Sequence, residues 1–282
     1  MIKLDKIIFL GTGSGSSLKF YNSCFALQKN DDYMLIDGGG GIRILEQLNK
    51  ANIPFKSIRN IFVTHNHIDH IVGIIWIIRK LCIMMREGKY DGSSAEDKTG
   101  YSGEVNIYAS NETIEAIRTL SKLILAPNQS SYIDDRIKLN VVQDREKVNI
   151  LEEEFIFYDT KAKKNLQYGF KVNMSNGKSL ACNGDETYNE ANYDLLKDAD
   201  YFIHEAFCLE SEREEKYPHK IGHATSKEVC EIANELDIKN LIFYHISNDN
   251  FEGRKEIYIN ENKDYFNGNL YVPNDLEIID LN

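Results

Sequence analysis

The sequence has little proline, few cysteines and no long uninterrupted apolar run, and each scarcity excludes a class of protein. Its 282 residues include only four prolines, which are not grouped into a linker, so we expect no boundary between domains. The five cysteines form no Cys-x-x-Cys pair, which disfavours a disulfide scaffold and predicts a reducing compartment, the cytoplasm. They are Cys24, Cys82, Cys182, Cys208 and Cys230.

Signals for export or membrane insertion are also scarce. The N-terminal stretch MIKLDKIIFLGTG mixes acidic and basic residues with a short apolar run, and we expect no signal peptide there. The longest apolar stretch, residues 71–85, is interrupted by Arg79 and Lys80 and is too short to span a bilayer. We therefore expect no membrane partner.

Basic residues are fewer than acidic residues in this chain. The 33 Lys and Arg residues face 44 Asp and Glu residues, which gives a formal net charge of −11. Such an excess of negative charge disfavours tight nonspecific binding to a nucleic-acid backbone. The hydrophobic fraction of 42% and the charged fraction of 27% are those of a soluble globular protein that can bury a core.

Apolar periodicity predicts strands that alternate with helices in both halves of the chain. Ten stretches rich in β-type residues predict strands: DKIIFLG, SCFALQ, YMLIDG, SIRNIFVT, VNIYAS, EEFIFYD, YGFKVN, KSLACNGD, DYFIHEAF and NLIFYHIS. Residues 71–85 are apolar on every face, which predicts a helix in a core or an oligomer interface, and we expect a homodimer. Residues 86–104 are polar and aperiodic, and we interpret them as an exposed insertion. The order of elements predicts two packed β-sheets with helices outside, in a single domain of residues 1–282.

The stretch THNHIDH, residues 64–70, collects three of the seven histidines at one junction. Residues two apart in an extended segment point the same way, so His65 and His67 face one point in space. Asp69 and His70 then begin the following helix and face the same region. Imidazoles and a carboxylate that converge at a strand end form a metal site suited to zinc. Chance clustering of this kind is rare, so the pattern favours a metal site over scattered surface histidines.

This stretch resembles the signature of the metallo-β-lactamase superfamily, and other stretches match that superfamily in order. MLIDGGGG resembles its first motif, CNGDET the strand end that supplies a bridging carboxylate, and LIFYHIS the last histidine motif. The residues concerned are Asp37, Asp185 and His245. DADYFIHEAF and IGHATS resemble segments of the tRNase Z group and contribute His204, Glu205 and His223. The resemblance implies an α/β fold, the metallo-β-lactamase αββα four-layer sandwich.

The resemblance also implies two metal sites, with one or two zinc ions per chain and manganese or iron as alternatives. The implied second site consists of Asp69, His70, Asp185 and His245. The implied first site consists of His65, His67 and the shared Asp185. The segment FYDTKAKKNLQYGF lacks the third histidine expected for this first site. Three interpretations stay open: a weak first site, Asp159 as a substitute ligand, or the Lys161 ammonium in place of a metal's charge.

The resemblance further implies a hydrolase that cleaves phosphodiesters. Asp69 would orient the attacking hydroxide, and His223 would donate the proton that the leaving alkoxide needs. Glu205 would hold the tautomer of His223 and raise its pKa. His204 has two open interpretations, support of its strand or a part in the site.

The size of the substrate is limited by an element that this chain lacks. The tRNase Z group typically carries a long arm that grips tRNA, yet only sixteen residues separate Gly169 from Asp185 at the place of that arm. With the overall acidity, this favours a small phosphodiester such as a cyclic nucleotide, whose phosphate the lysines of KAKK could receive. RNA is an alternative but disfavoured partner. A thioester or lactone hydrolase and a non-catalytic, metal-bearing regulatory protein also stay open.

Overall fold

A computed structural model describes residues 4–89, 103–247 and 252–281. Most of the predicted insertion at 86–104 lies outside these ranges, so its exposure stays a prediction. The strands are β1 (Lys6–Gly11), β2 (Cys24–Lys29), β3 (Asp32–Ile36), β4 (Ile58–Phe62), β5 (Val105–Ala109), β6 (Ile137–Val141), β7 (Lys147–Ile150), β8 (Glu153–Asp159), β9 (Tyr168–Asn173), β10 (Ser179–Cys182), β11 (Tyr201–Glu205), β12 (Asn240–Tyr244), β13 (Asn269–Tyr271) and β14 (Ile278–Asp280). The helices are α1 (Arg43–Lys50), α2 (Ile68–Arg86), α3 (Asn111–Ile124), α4 (Pro127–Ser130), α5 (Tyr193–Leu196), α6 (Arg213–Lys216), α7 (Pro218–Ile221), α8 (Ser226–Glu235) and α9 (Arg254–Asn262).

The strands form two sheets of seven strands each. The first has the order β14-β1-β2-β3-β4-β5-β6, and the second has the order β13-β12-β11-β10-β9-β8-β7. Strands β3 to β6 and strands β10 to β13 pair in parallel, whereas the other pairs are antiparallel. Parallel strands have their carboxyl ends at the same edge of a sheet. Polar residues that directly follow these strands are therefore brought together.

Three apolar clusters separate four layers. Aromatic side chains such as Phe62, Phe157 and Phe170 fill the space between the two sheets. A second cluster lies between the outer face of the first sheet and helices α1 to α3. A third cluster lies between the outer face of the second sheet and helices α5, α8 and α9. This layering confirms the predicted αββα sandwich.

Helix α2 is covered by its own chain. Eight of its apolar side chains between Ile71 and Met85 are buried in the cluster that joins the first sheet to α1 and α3. The reasoning that this apolar segment needs a second copy of the chain to cover it is therefore wrong. Within the described ranges, no helix combines the length and the apolarity that crossing a membrane requires.

A close approach of two backbone segments fixes the start of α2. The Gly73 N–H donates to the Gly39 carbonyl at 2.8 Å, and the Gly38 N–H donates to the His70 carbonyl at 2.9 Å. A Cβ at Gly73 would overlap the Gly38 carbonyl, and a Cβ at Gly38 would lie 2.5 Å from the Ile74 amide nitrogen. Glycine is the residue that allows such a contact. The loop after β3 thus sets the position of the first turns of α2.

Candidate metal centre and active site

The ends of the strands place all six predicted ligands at one edge of the sandwich. These ligands are His65, His67, Asp69, His70, Asp185 and His245. The first four follow β4 and open α2, whereas the last two follow β10 and β12 of the second sheet. The backbone of His245 is left-handed, with a φ of 53°. Strain of this kind concentrates at functional sites, where the direction of a side chain matters.

Asp185 lies at the centre of the cluster. Its Oδ2 atom is 3.5 Å from the Nε2 atom of each of three histidines, His65, His70 and His245. Asp69 Oδ2 lies 3.4 Å from His70 Nε2 and 3.5 Å from His245 Nε2. The four residues predicted for the second site therefore face one another, and His65 meets them at Asp185.

The donor atoms of this cluster fit a metal ion. His65 Nε2, His70 Nε2, His245 Nε2 and Asp185 Oδ1 are all buried, and they have no hydrogen-bond partner among the described residues. Burial of a polar atom without a partner is costly, and an ion would remove that cost. Two groups of three donors lie close enough to share an ion: His65, His70 and Asp185, and Asp69, His70 and His245. Nitrogen and oxygen donors together suit a divalent transition metal.

Hydrogen bonds behind the rings orient two of the histidines. Asp37 accepts hydrogen bonds from His70 Nδ1 and from the Thr64 hydroxyl, each at 2.8 Å. Because the Thr64 hydroxyl donates its only proton to Asp37, it must accept the 3.0 Å hydrogen bond from His65 Nδ1. With the proton on Nδ1, each ring turns the Nε2 lone pair toward Asp185. This is the orientation of a metal-binding histidine.

The charges at the site also favour a cation. Burial lowers the pKa of His65 well below its usual value, so this ring is neutral near pH 7. Burial opposes the charged forms of Asp69 and Asp185, but the neighbouring imidazoles outweigh it and hold the pKa of both carboxyls below the usual range. Burial likewise opposes the charged form of His70, but nearby carboxylates raise the pKa of that ring. A metal ion at this site would compete with the proton that His70 binds, because a histidine ligand must be deprotonated.

The segment without the third histidine holds its charged side chains in ion pairs. Lys161 Nζ lies 2.9 Å from Asp159 Oδ2 and 3.2 Å from Asp144 Oδ2, on the exposed loop after β8. Asp159 lies outside the two groups of converging donors in the described chain. In this structure the two side chains pair with each other and with Asp144, and the interpretations that Asp159 is a ligand or that Lys161 replaces a metal's charge stay predictions.

The first site is consequently less complete than the second. The side chain of His67 is exposed, and its ring centre is 4.4 Å from that of His65. His67 thus lies at the rim of the site, outside the two groups of converging donors found in the described residues. Sequence reasoning did not single out Gln167, whose buried Oε1 atom has no partner in the described chain and would lie 3.7 Å from a Cβ at Gly184.

His223 lies beside the cluster, but its relation to Glu205 differs from the prediction. Its ring centre is 5.2 Å from that of His245, and the ring stacks on Phe207 at 4.6 Å. Its Nδ1 atom is 3.7 Å from Glu205 Oε2, too far for a hydrogen bond. Glu205 instead accepts backbone hydrogen bonds from Ala224 at 2.6 Å and from Phe207 at 2.9 Å. The prediction that Glu205 raises the pKa of His223 is wrong, since burial and then His245 lower that pKa to about 4.

Two glycine-rich loops meet beside Asp69. A Cβ at Gly15, in the GTGSG loop, would lie only 3.1 Å from Asp69 Oδ2. Asn22 donates to the Ser14 carbonyl at 2.9 Å and accepts from the Gly40 N–H at 3.2 Å, so it ties the two loops together. No motif in the sequence pointed to Asn22, because its role depends on segments that meet only in the folded chain.

Comparison with known proteins now places this fold and site in a family. The family model described as "Anti-Pycsar protein Apyc1" matches residues 5–261. The chain belongs to the Apyc1 family. This Apyc1-family chain is 27% identical over 265 residues to the ribonuclease Z of Sulfolobus acidocaldarius, with 86% of this chain and 88% of the relative covered.

Two solved structures share the fold of this Apyc1-family chain. One is the metallo-β-lactamase fold protein YhfI from Bacillus subtilis, with a TM-score of 0.73, 19% identity, and 98% of this chain and 99% of that chain covered. The other is a diphosphatase from the PhnP family, with a TM-score of 0.72, 21% identity, and 99% and 98% covered. Together the relatives confirm the metallo-β-lactamase fold and its tRNase Z-like branch, and the Apyc1-family chain is a metal-dependent hydrolase.

Proposed function

We propose that this protein is a zinc-dependent phosphodiesterase that hydrolyses a small phosphodiester such as a cyclic nucleotide. The observation that carries the proposal is the position of Asp185 Oδ2, 3.5 Å from three histidine Nε2 atoms, with the ring of His223 beside the cluster. Converging metal donors next to a side chain that can transfer a proton are what hydrolysis of a diester requires.

The ligand sets differ in completeness, so we propose one tightly held zinc ion and one weakly held ion. The tight site consists of Asp69, His70, Asp185 and His245. The weak site would use His65 and Asp185 with His67 at its rim. Zinc bound there would supply a hydroxide nucleophile near neutral pH and would stabilise negative charge on the phosphoryl oxygens. The donor types also accept manganese or iron.

The remaining residues would orient the reactants and move a proton. Asp69 would keep one oxygen available to accept a hydrogen bond from the attacking group. His223 would donate the proton that the leaving alkoxide needs. Burial lowers the pKa of His223 to about 4, but an anionic diester beside the ring would favour its protonated form. Glu205 would act indirectly, through the two backbone N–H groups that it holds near His223.

The size and charge of the substrate follow from the surroundings of the site. Strands β9 and β10 are joined by a short turn at residues 174–178, which leaves no room for a tRNA-gripping arm. Lys164 Nζ donates to the Ile221 carbonyl at 3.0 Å. Its positive charge is near enough to contribute to the lowered pKa of His223. This brings one cation of the KAKK cluster close to the site, where it could receive the phosphate of a compact substrate.

RNA 3′-end processing is the second candidate function, because the chain is similar to a ribonuclease Z over most of its length. The net charge of −11 and the short turn at residues 174–178 count against it. The two functions differ in the substrate that must fit, so turnover of different substrates separates them directly.

The experiment that tests the proposal is a substrate panel with and without a chelator. Bis-p-nitrophenyl phosphate, several cyclic nucleotides, a pre-tRNA and a thioester would be incubated with the wild-type protein and with the variant Asp185→Asn. We expect hydrolysis of cyclic nucleotides that is lost with the chelator, restored by zinc, and absent in the variant. The matched control is His219→Ala, because His219 is exposed, pairs with Glu228 at 2.9 Å and should not affect turnover.

Other outcomes of the panel would redirect the assignment. Cleavage of pre-tRNA without turnover of cyclic nucleotides would favour the ribonuclease. Turnover of the thioester alone would favour a thioester or lactone hydrolase. Zinc binding without any turnover would favour a regulatory protein.

We also propose that the protein is a homodimer in a reducing compartment such as the cytoplasm, with residues 1–282 as one domain. Three exposed apolar side chains support the proposal of a dimer: Leu18, Ile42 and Ile68, with exposed fractions of 85%, 56% and 73%. Their segments are neighbours, since Asn22 joins the first loop to Gly40 and a Cβ at Gly40 would lie 3.6 Å from the Asp69 Cα. Exposed apolar side chains in a group favour an interface. All five cysteines are free and buried, as expected where thiols stay reduced.

A further inference from the structure

We propose that Asn183 is a positioning residue that fixes the bridging carboxylate of Asp185, and that His204 and Tyr158 act through Asn183. The proposal rests on the metal centre of the proposed function and adds residues that no ligand motif contains. Asn183 directly follows β10 and is only 1% exposed. Gly184 has a left-handed backbone with a φ of 69°, so the chain turns sharply before Asp185.

The amide of Asn183 closes this turn from the inside. Its Nδ2 atom donates to the Glu186 carbonyl at 2.8 Å, across the turn that carries Asp185. Its Oδ1 atom lies 3.1 Å from the hydroxyl of Tyr158, which in turn lies 3.0 Å from the Cys182 carbonyl. Because the Tyr158 hydroxyl has a single proton for these two acceptors, the amide is held by Glu186 on one side and faces Tyr158 on the other.

His204 sets the orientation of that amide. Its Nδ1 atom is 2.7 Å from the Glu205 carbonyl oxygen, which can only accept, so Nδ1 carries the proton. Nε2 is then an acceptor, and it lies 3.5 Å from Asn183 Nδ2. The amide therefore turns its NH2 group to His204 and Glu186 and its oxygen to Tyr158. Because His204 is fully buried, its contribution to the site passes through Asn183.

The position of the Asp185 carboxylate depends on the turn that carries it, because only one of its two oxygens has partners among the described residues. Its Oδ1 atom has no hydrogen-bond partner in the part of the chain that the structure describes. Its Oδ2 atom is equally far, 3.5 Å, from His65, His70 and His245. The backbone turn helps to keep the carboxylate at this common distance. Loss of a residue that orients a ligand commonly weakens metal binding by about 10- to 100-fold.

The test compares two buried asparagines. Asn183→Leu removes the amide that holds the turn. Asn192→Leu is the matched control, since Asn192 is also 1% exposed, donates to the Asp159 carbonyl at 2.9 Å and accepts from Arg145 at 3.3 Å. Zinc would be titrated calorimetrically into each metal-free protein, and the unfolding temperature would be measured on the same samples. We expect both variants to unfold earlier, but only Asn183→Leu to raise the Kd for zinc, by about 10- to 100-fold.

Tyr158→Phe provides a second, milder variant if Asn183→Leu does not fold. It removes one hydroxyl from the network, and we expect a smaller rise in the Kd for zinc and a smaller fall in unfolding temperature than in Asn183→Leu. A wild-type Kd in these variants, or an equal rise in Asn192→Leu, would overturn the role of Asn183 alone. A wild-type protein that binds no zinc would overturn the metal centre and this inference together.

Discussion

The ring of His223 lies beside His245 but outside the groups of donors that converge within the described chain. If His223 donates the proton to the leaving group, His223→Ala should reduce turnover of a diester with an alkoxide leaving group by roughly 10²–10⁴. Zinc content should not change, because this ring lies outside both groups of converging donors in the described chain. Steady-state kinetics and metal analysis on the same preparation would check both expectations.

The leaving group provides the control for this experiment. p-Nitrophenolate departs without a proton, so the loss of turnover on bis-p-nitrophenyl phosphate should be much smaller. Equal losses on both substrates, or a loss of zinc, would make His223 a ligand or a substrate-binding residue instead.

Glu205 calls for a different prediction from the one that the sequence suggested. Both carboxylate oxygens accept backbone hydrogen bonds, from Phe207 and from Ala224. In Glu205→Gln one oxygen becomes an NH2 group that faces another N–H donor. We expect the free energy of unfolding to fall by about 1–3 kcal/mol, with reduced turnover on both kinds of leaving group. Thermal unfolding measured beside the two assays would show this, and normal stability with a loss on the alkoxide substrate alone would contradict it.

At the residue scale, the sequence predicted the side chains whose direction depends only on their spacing along the chain. His65 and Asp69 belong to a short motif between a strand and a helix, and the structure brings both to the same cluster. The partners of Lys161 and Glu205 could not be predicted in the same way. Asp144 lies 17 residues from Lys161, and Ala224 lies 19 residues from Glu205. These contacts exist only because distant loops meet at the edge of the second sheet.

Among the elements, helix α2 depends most on a backbone contact. In Gly73→Ala the new methyl group would overlap the Gly38 carbonyl. The usual gain in helix propensity is about 1 kcal/mol, and we expect the overlap to exceed it and lower the net stability by about 1–3 kcal/mol. Denaturant unfolding would measure this change. Gly41→Ala is the control, since a Cβ there meets nothing within 4 Å, and equal stability of the two variants would contradict the contact.

The loop between β8 and β9 leads us to predict that the two zinc sites differ in affinity. It offers no third histidine, and its Asp159 pairs with Lys161 instead of reaching the donors. Zinc at the site of His65 should therefore bind more weakly than zinc at the site of His70. Dialysis against increasing chelator, followed by metal analysis, should release one ion per chain well before the other. Release of both ions together would show that another residue completes the first site.

The elements could be predicted where they are strongly apolar. All ten predicted strands are present, from β1 to β5 and from β8 to β12. The four strands that the sequence did not reveal, β6, β7, β13 and β14, include all four sheet edges. Their short sequences, such as KVNI and NLY, mix polar and apolar residues because only one side of an edge strand is covered.

For the whole molecule, we predict a dimer whose interface contains the exposed side chains of Leu18, Ile42 and Ile68 instead of residues 71–85. Light scattering at micromolar concentration should give twice the mass of one chain. The double variant Leu18→Asp and Ile68→Asp should be monomeric, because it places charge on the exposed apolar group. The control Leu123→Asp alters an equally exposed side chain on α3 and should leave the mass unchanged. A monomeric wild-type protein would contradict the proposal.

The error in the first argument for a dimer has a physical origin. Hydropathy shows that residues 71–85 must be covered, but it does not show what covers them. The cover is a cluster of side chains from α1, α3 and the first sheet, which are far apart in sequence and become neighbours only after folding.

The end of the chain reaches back to the beginning and so to the metal centre. The family match stops at residue 261, before β14 pairs with β1 and before Asp275 accepts hydrogen bonds from Thr12 and Tyr21. A protein trimmed to the matched region would expose the bare edge of β1, which invites pairing between molecules. The same cut would release the GTGSG loop that lies against Asp69. Residues 262–281 therefore cover the edge of β1 and hold one wall of the proposed active site in place.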